Sequence, residues 1–329
     1  MNRTRRWGLL VLSMVALLGA SATSVPASAA PSSPVADNGA KVVEETWLDA
    51  RTVDLKISSP ALGTTGMVRL LVPTGWAAQP TRTWPTLYLL HGCCEPVDYR
   101  SWDQFTDVKA FTANKDTLVV MPTGGSAGMY TKWWNFGFKG VDWDTFHTLE
   151  VRQIVERGYR AGTRRAIAGL SIGGYGALAY SFKHKGMFAA AASYSGVPNT
   201  LYPGIPLFIQ GILARAGVFN YLELWGDSWG MRGLWSSNNP FDHVDDLRGT
   251  ALYISCGNGQ TGPLDPPGQS DILEPSALLA SSSFTDRLKL KGIPVTVDYY
   301  GAGTHSWPYW QRSLRNSWPV LAEALGVPA

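Results

Sequence analysis

The sequence predicts an α/β fold with a mainly parallel sheet of eight strands and helices on both faces. Apolar and β-branched runs recur along the chain, and helical patterns lie between them. From the third run onward most are continuous hydrophobic stretches, which is typical of strands buried on both faces of a parallel sheet. The alternation of strand and helix favours right-handed crossover connections between these strands.

The predicted elements leave one segment without a regular period. We expect a single domain over 30–329, because about 300 residues can bury one large core. The segment 196–240, rich in Gly, Pro, Leu and Trp, is predicted to form a cap over the sheet edge. Its apolar residues either line a channel or pack on the core. The predicted strands are 52–57, 67–72, 86–90, 117–121, 165–170, 189–194, 251–256 and 295–300, and the main predicted helices are 145–160, 174–184, 276–291 and 310–325.

The first 29 residues have the pattern of a secretory signal peptide. Arg3, Arg5 and Arg6 precede an apolar run over 8–20, and an Ala-Ser-Ala cleavage site ends at Ala29. The run is shorter than the roughly 20 residues of a membrane span. We therefore expect an exported protein that does not span a membrane, secreted to the exterior or the cell wall; the alternative is an uncleaved membrane anchor.

Charge and histidine spacing exclude several classes of partner. The chain has 28 basic and 25 acidic residues, and three of the basic residues lie in the N-terminal segment. The remaining chain is nominally neutral, which gives no argument for nucleic acid or anionic lipid as a partner. The five histidines lack metal-ligand spacing, so neither a metal nor another cofactor is expected.

Three cysteines do not form a disulfide framework in a chain of this size. Cys93 and Cys94 are adjacent, and a bond between them would close a strained ring. We therefore expect this pair to be reduced. Cys256 is expected to be a small buried hydrophobic residue.

A serine at a cramped turn is the first candidate for chemistry. The run 168–174 (AGLSIGG) places Ser171 between an apolar strand and a helix, with Gly169 and Gly173 two positions to either side. Glycines at these positions allow the sharp turn of a nucleophile elbow, as in the α/β-hydrolase fold. A chain with 35 glycines forms such pentapeptides by chance, so the context must decide. The pattern predicts an acyl-transfer enzyme with Ser171 as the nucleophile.

A serine nucleophile needs an imidazole base, and that imidazole needs a carboxylate. In the α/β-hydrolase fold the chain order is Ser, acid, His. His184 lies at a lysine-flanked helix end and is expected to be solvated, while His243 precedes any acid in the expected loop. His305 lies in a glycine-rich loop directly after the last predicted strand. We therefore predict that His305 is the base.

The acid and the oxyanion donors are expected in two further loops. The loop after the seventh predicted strand offers Asp265, Asp271 and Glu274, and the pattern alone does not choose among them. Each could equally be a solvated carboxylate or a helix cap. The expected oxyanion donors are the backbone N–H of Ile172, which follows the nucleophile, and that of Cys93 in the loop after the third strand.

Several motifs follow one another along the chain. They are 120–125 (VMPTGG) with Tyr130 and Trp133, 169–171, 256–259 (CGNG) and 304–310 (THSWPYW). Through them nearly all of the chain after the N-terminal segment resembles the secreted mycolyltransferases of actinobacteria, the antigen 85 family, and their esterase relatives. The resemblance implies an acyl ester or lipid donor. It also implies transfer to water or to a hydroxylated acceptor of the sugar or glycerol type.

Carried over position by position, the resemblance implies catalytic roles for Ser171, Glu274 and His305. The acid of the family lies in a Leu-Glu pair that opens the helix before the last strand, and Leu273-Glu274 matches that pair. Pro275 is a departure, because a proline is expected to hold the preceding residue in an extended conformation.

Two other departures concern the acceptor. The family has an aspartate before the glycine of the oxyanion loop and an arginine two residues after it, both linked to the sugar acceptor. This chain has His91 and Cys94 there, which argues against trehalose. His-Gly at this place resembles ordinary carboxylesterases, in which the imidazole more often shapes the loop. The residues expected to contact substrate are His91, Cys94, Trp102 and Trp307.

The expected function is therefore that of a secreted serine acyltransferase or esterase. Transfer and hydrolysis share every step up to the acyl-enzyme, so a plain carboxylesterase acting on small esters is an open alternative. A second alternative is a non-catalytic extracellular binding protein on the same fold, because fold alone does not imply function.

Overall fold

One sheet forms the centre of the structure, a computed structural model that describes residues 34–329. Within that range the sheet has nine strands in the order β1-β2-β3-β5-β4-β6-β7-β8-β9. The strands are β1 (Lys41–Trp47), β2 (Thr52–Ser59), β3 (Thr64–Leu71), β4 (Trp84–Leu90), β5 (Leu118–Pro122), β6 (Ala161–Leu170), β7 (Ala190–Tyr194), β8 (Ala251–Cys256) and β9 (Thr296–Tyr299).

The sheet is mainly parallel, which confirms the predicted class. The pairs from β1 to β5 are antiparallel, and those from β5 through β4, β6, β7 and β8 to β9 are parallel. Leu170 at the end of β6 pairs with Tyr194 at the end of β7, and Tyr194 pairs in turn with Ser255 of β8. The loops that follow these strands therefore leave the sheet side by side at its carboxyl edge, where ligands bind in open α/β sheets.

The prediction of eight strands is wrong by one: it missed β1, because the residues of β1 do not show the apolar pattern of a buried strand. Its sequence KVVEETW is exposed except at Val42. An edge strand pairs on one side only, so charged residues can occupy most of its positions. Apolar periodicity therefore does not detect it.

Helices cover both faces of the sheet, as predicted. Alternate residues of one strand face opposite cores: Leu90 packs in the core that contains Phe284 of α9, and Leu89 in the core that contains Trp318 of α10. The α-helices are α1 (Ser101–Phe105), α2 (Val108–Phe111), α3 (Trp143–Thr145), α4 (Arg152–Gly158), α5 (Ile172–Lys183), α6 (Ile205–Arg215), α7 (Leu222–Trp225), α8 (Arg232–Ser237), α9 (Leu273–Leu290) and α10 (Trp307–Leu325). A π-helical turn, Phe146–Val151, precedes α4.

The segment 196–240 is helical in three places, α6, α7 and α8. Ile209 and Leu213 of α6 are buried in the core that contains Phe284. Phe208 and Ile212 of the same helix line a cavity at the carboxyl edge of the sheet. The segment therefore does both things that its composition suggested: it packs on the core and it lines a cavity.

The N-terminal segment that we interpret as a signal peptide lies outside the described residues. Residues 34–329 lie within one compact unit by their contacts. Among the residues that the structure describes, no helix combines the length and apolar character needed to cross a membrane.

Candidate active site

Ser171 lies at a strained turn between β6 and α5. Its φ of 54° and ψ of −123° fall outside the regions that side chains usually occupy. The neighbours must be glycine for steric reasons: a Cβ on Gly169 would collide with the carbonyl oxygen of Gly173, and one on Gly173 with that of His91. The serine is 8% exposed and lines the cavity. The geometry of the turn is therefore that of a nucleophile elbow.

Glu274 and His305 meet beside this turn. His305 Nδ1 lies 2.7 Å from Glu274 Oε2, and the glutamate is fully buried. Burial alone would raise the pKa of Glu274, but the hydrogen bond and charge of His305, together with the hydrogen bonds from Gly257 and Ser195, outweigh it and lower the pKa. Glu274 is therefore a carboxylate that accepts a hydrogen bond from Nδ1–H. In the neutral imidazole this places the proton on Nδ1, so that Nε2 is the nitrogen that can take up a proton, as a general base requires.

The second oxygen of Glu274 accepts four hydrogen bonds that the sequence did not reveal. The donors to Oε1 are the Gly257 amide at 2.6 Å, the Ser195 hydroxyl at 2.8 Å, the Tyr300 hydroxyl at 3.2 Å and the Cys256 thiol at 3.3 Å. Burial raises the pKa of both Tyr300 and Cys256, so each keeps its proton and can donate. Ser195 and Gly257 directly follow β7 and β8, so their position at the carboxyl edge of the sheet is the sequence feature that could have identified them as neighbours of the site.

Asp271 fixes the backbone of both the acid and the base. Its Oδ1 accepts from the backbone N–H groups of Leu273 and Glu274, each at 2.8 Å, and its Oδ2 accepts from that of His305 at 2.7 Å. Asp271 thus caps α9, which is the role weighed for it in the sequence. The expectation that Pro275 keeps Glu274 extended is wrong. Glu274 is helical and lies with Pro275 in the first turn of α9. Pro275 has no backbone N–H, but the N–H groups of a first turn have no acceptor within the helix, so no helical hydrogen bond is lost.

The loop after β4 brings a second backbone donor to the same cavity. Gly92 and Cys93 line the cavity together with Ser171. Ile172 is the first residue of α5, so its N–H has no acceptor within the helix. Neither the Cys93 nor the Ile172 N–H donates to another backbone oxygen within residues 34–329. Within that range, neither N–H is therefore used in the backbone hydrogen bonding of the fold.

The expectation that Cys93 and Cys94 are reduced is wrong, because the structure joins them as a disulfide. The backbone accommodates the ring through Cys94, whose φ is 79°, and the Cys94 N–H donates to the Ser126 carbonyl at 2.8 Å. Adjacency in sequence indicated strain but not this local conformation. Cys256 is free and buried, as predicted.

The cavity that contains Ser171 and His305 has a volume of about 470 Å³. This size is typical of small-molecule sites. Its wall is mostly apolar, with Glu95 and Arg215 as the charged residues. The apolar lining comes from Leu170, Phe208, Ile212, Ile272, Leu273, Trp307 and Trp310.

Of the four residues expected to contact substrate, the structure brings only Trp307 into the lining. Trp102 is buried behind it, with the two rings edge to face at 5.5 Å, and its Nε1 donates to the Leu90 carbonyl. His91 is 1% exposed and is hydrogen-bonded within the protein. Cys94 lies in the loop but not in the lining. Burial argues against substrate contact by His91 and Trp102, whereas contact by Cys94 stays a prediction.

Comparison with known proteins places the chain in a family. The Esterase family model matches residues 59–320. An esterase of Mycobacterium tuberculosis is 32% identical over 265 residues, which are 78% of this chain and 56% of that protein. The chain thus spans about half the length of that relative. The diacylglycerol acyltransferase/mycolyltransferase Ag85B of Mycolicibacterium smegmatis is 30% identical, with 73% of this chain and 77% of that protein covered.

A solved structure supports the fold. MPT51 of Mycobacterium tuberculosis aligns with a TM-score of 0.70 at 22% identity, over 84% of this chain and all of that one. The parallel sheet, the elbow at Ser171 and the family match agree with one another. The chain belongs to the Esterase family, and the antigen 85 mycolyltransferases are among its relatives.

Proposed function

We propose that this protein is a serine acyltransferase or esterase, in which an ester substrate acylates Ser171. The observation that carries the proposal is the hydrogen bond between His305 Nδ1 and the buried Glu274 carboxylate, beside a serine that lines the same cavity. Burying a carboxylate costs free energy unless the carboxylate is well hydrogen-bonded. A carboxylate held against the His305 ring stabilises the imidazolium that forms when His305 takes up a proton.

In the first half-reaction the Ser171 Oγ attacks the carbonyl carbon of the ester. His305 Nε2 takes the hydroxyl proton and returns it to the oxygen of the leaving alcohol as the ester C–O bond breaks. The Glu274 carboxylate keeps the Nδ1 proton in place and stabilises the imidazolium. In the second half-reaction water or an acceptor hydroxyl attacks the acyl carbon and His305 takes its proton. His305 then passes that proton to Ser171 Oγ as the bond between the acyl carbon and Oγ breaks.

The tetrahedral intermediate carries a negative oxygen, which needs donors already in position. The Cys93 and Ile172 N–H groups have this role in the proposal. Cys93 lines the cavity and Ile172 directly follows Ser171. Neither N–H donates to a backbone oxygen within residues 34–329, which also supports the role. Loss of one such donor typically costs a factor of about 10² to 10³ in kcat.

The acyl group is proposed to lie against the apolar wall formed by α6 and by Trp307. Phe208 and Ile212 contribute the α6 side of that wall. Glu95 and Arg215 supply polar atoms for the alcohol or acceptor side. The N-terminal pattern ending at Ala29 supports export, so the natural ester is proposed to be extracellular.

A fluorophosphonate probe on the purified protein tests the nucleophile. We expect labelling of the wild type and none of Ser171→Ala. Labelling that persists in Ser171→Ala would assign the reactive group elsewhere, and an unlabelled wild type would favour a non-catalytic binding protein on the same fold.

A chromogenic acyl ester, supplied with and without glycerol or trehalose, separates transfer from hydrolysis. Acylated acceptor among the products would identify a transferase, and free acid alone an esterase. The relatives include proteins named for each activity. Glu274→Gln should lower turnover by orders of magnitude, whereas Asp286→Asn, at an exposed position of the same helix, should leave it unchanged.

A further inference from the structure

Two polar side chains lie buried beneath the loop after β4, outside the cavity lining. His91 follows β4 directly, and its Nδ1 lies 2.6 Å from the carbonyl oxygen of Gly92. On the other side of the ring, Nε2 lies 2.7 Å from the Gly124 amide nitrogen and 3.2 Å from Asp98 Oδ2. The imidazole therefore bridges a carboxylate and one peptide carbonyl.

The proton at Nδ1 is fixed by its partner. A carbonyl oxygen only accepts, so Nδ1 must carry a hydrogen whether the ring is neutral or charged. In the neutral form Nε2 accepts the Gly124 N–H, and in the charged form it donates to Asp98. The hydrogen bond from His91 to Gly92 is therefore present in both forms.

The surroundings of the ring hold it in place. Asp98 accepts from Thr123 Oγ1 at 2.6 Å and from the Gly124 amide at 3.0 Å. The Tyr130 hydroxyl donates to the His91 carbonyl at 2.9 Å. Burial lowers the pKa of His91, but Asp98 outweighs it and raises that pKa, with a smaller contribution from Glu95. The Tyr130 ring also lies against His91, with the ring centroids 5.8 Å apart, and His147 interacts with His91 electrostatically.

The carbonyl that His91 contacts belongs to the same peptide group as the Cys93 N–H. That group is planar, and in a trans peptide its C=O and N–H point in opposite directions. A donor that holds the oxygen on the buried side therefore holds the N–H on the side of the cavity. Hydrogen bonds to an amide oxygen also polarise the amide, by roughly 10–30% per bond, and make its N–H a stronger donor.

We propose that His91, anchored by Asp98, is a positioning residue that orients and polarises the Gly92–Cys93 peptide toward the oxyanion. The inference rests on the proposed function, in which Cys93 N–H binds that oxyanion. It assigns to His91 a role in the transition state without contact with substrate. The competing explanation is that His91 only fills the space under the loop.

Two substitutions separate these explanations. His91→Leu fills the space but removes the donor, whereas the side-chain amide of His91→Asn can donate from near the position of Nδ1. We expect the leucine variant to lower kcat by about tenfold to a hundredfold with KM unchanged, somewhat less than the loss of a whole donor. The asparagine variant should recover most of that loss.

A trifluoromethyl ketone analogue of the ester provides the second readout. Ser171 adds to its carbonyl, and the resulting oxyanion lies where the transition-state oxygen does. We expect its affinity to fall in His91→Leu by the same factor as kcat, while the affinity for the product acid stays unchanged. His243→Leu is the matched control, because the His243 ring stacks on Phe182 and is not in the cavity lining.

The proposal is overturned if His91→Leu equals the wild type, if the leucine and asparagine variants are equally impaired, or if kcat falls with unchanged ketone affinity. If the leucine variant does not fold, Asp98→Asn carries the test: a severalfold loss of kcat at constant KM supports the proposal, and no loss overturns it. A wild type that is inactive toward esters, or activity that survives in Ser171→Ala, refutes the proposed function instead.

Discussion

Replacement of Asp98 by asparagine measures how much stability the buried Asp98–His91 pair contributes. Asp98 is 9% exposed. Burial would raise its pKa, but His91 and the donors from Thr123 and Gly124 lower it from 3.8 to about 2. One pKa unit corresponds to about 1.4 kcal/mol, so the carboxylate contributes about 2 kcal/mol to the free energy of unfolding.

The sign of the effect defines the pH window. Because the pKa of Asp98 is lowered in the folded state, its contribution is complete well above pH 4 and is lost as the pH falls through about 2. His91 has the opposite dependence: its raised pKa contributes below about pH 6.5, and the contribution is lost as the pH rises through the folded value. The difference in free energy of unfolding between wild type and Asp98→Asn should be largest at pH 5 to 6 and should fall to about 1 kcal/mol at pH 3.

Urea unfolding followed by tryptophan fluorescence, at intervals from pH 3 to pH 8, gives this gap directly. Asp286→Asn serves as the control, because Asp286 is 75% exposed and its replacement should change stability by less than about 0.5 kcal/mol. A gap that is the same at pH 3 as at pH 6 would refute the reasoning. It would show that packing or neutral hydrogen bonds, rather than the charge of Asp98, stabilise the fold.

Three further predictions concern the cavity and its support. Gly211 lines the cavity and has open space at its Cβ position, so a leucine fits there and occupies part of the cavity. Gly211→Leu should therefore lower kcat/KM for long-chain esters, relative to acetyl esters, by about fourfold for each methylene that it displaces. Gly233→Leu on α8, outside the cavity lining, should leave this ratio unchanged. Asp271→Asn removes one of two carboxylate oxygens that hold the backbone and should lower kcat about tenfold, far less than Glu274→Gln; equal losses would contradict this order. Ser195→Ala removes the hydroxyl that accepts from the Trp310 indole N–H and donates to Glu274 Oε1. Thermal unfolding should therefore show a free energy of unfolding lower by about 1–3 kcal/mol. An unchanged Tm would contradict this prediction.

The sequence predicted those parts of the molecule that depend on local patterns. Continuous apolar runs identified the buried strands, and strand ends identified Ser171 and His305, because the carboxyl edge of a parallel sheet collects the loops that follow its strands. The choice of Glu274 among three acids needed the family resemblance. Local pattern does not tell which loop carboxylate turns toward an imidazole.

Other parts depend on packing that no local pattern encodes. Strand β1 is almost wholly exposed, so it lacks the apolar alternation that marks a strand. Ser195 and Tyr300 reach Glu274 from separate loops, and only the register of β7, β8 and β9 brings those loops together. His91 was expected to contact substrate because it sits in the oxyanion loop, but its ring turns inward to Asp98.

The order of the elements along the chain affects when activity can arise during synthesis. The elbow at Ser171 packs within β6 and α5, in the middle of the chain, whereas His305 follows the last strand and is held next to Trp310 of the final helix. If Ser171 and His305 act together as proposed, the nucleophile is synthesised well before its base. A chain truncated before α10 would then keep Ser171 but lack Trp310, which packs against the His305 ring, and is expected to be inactive.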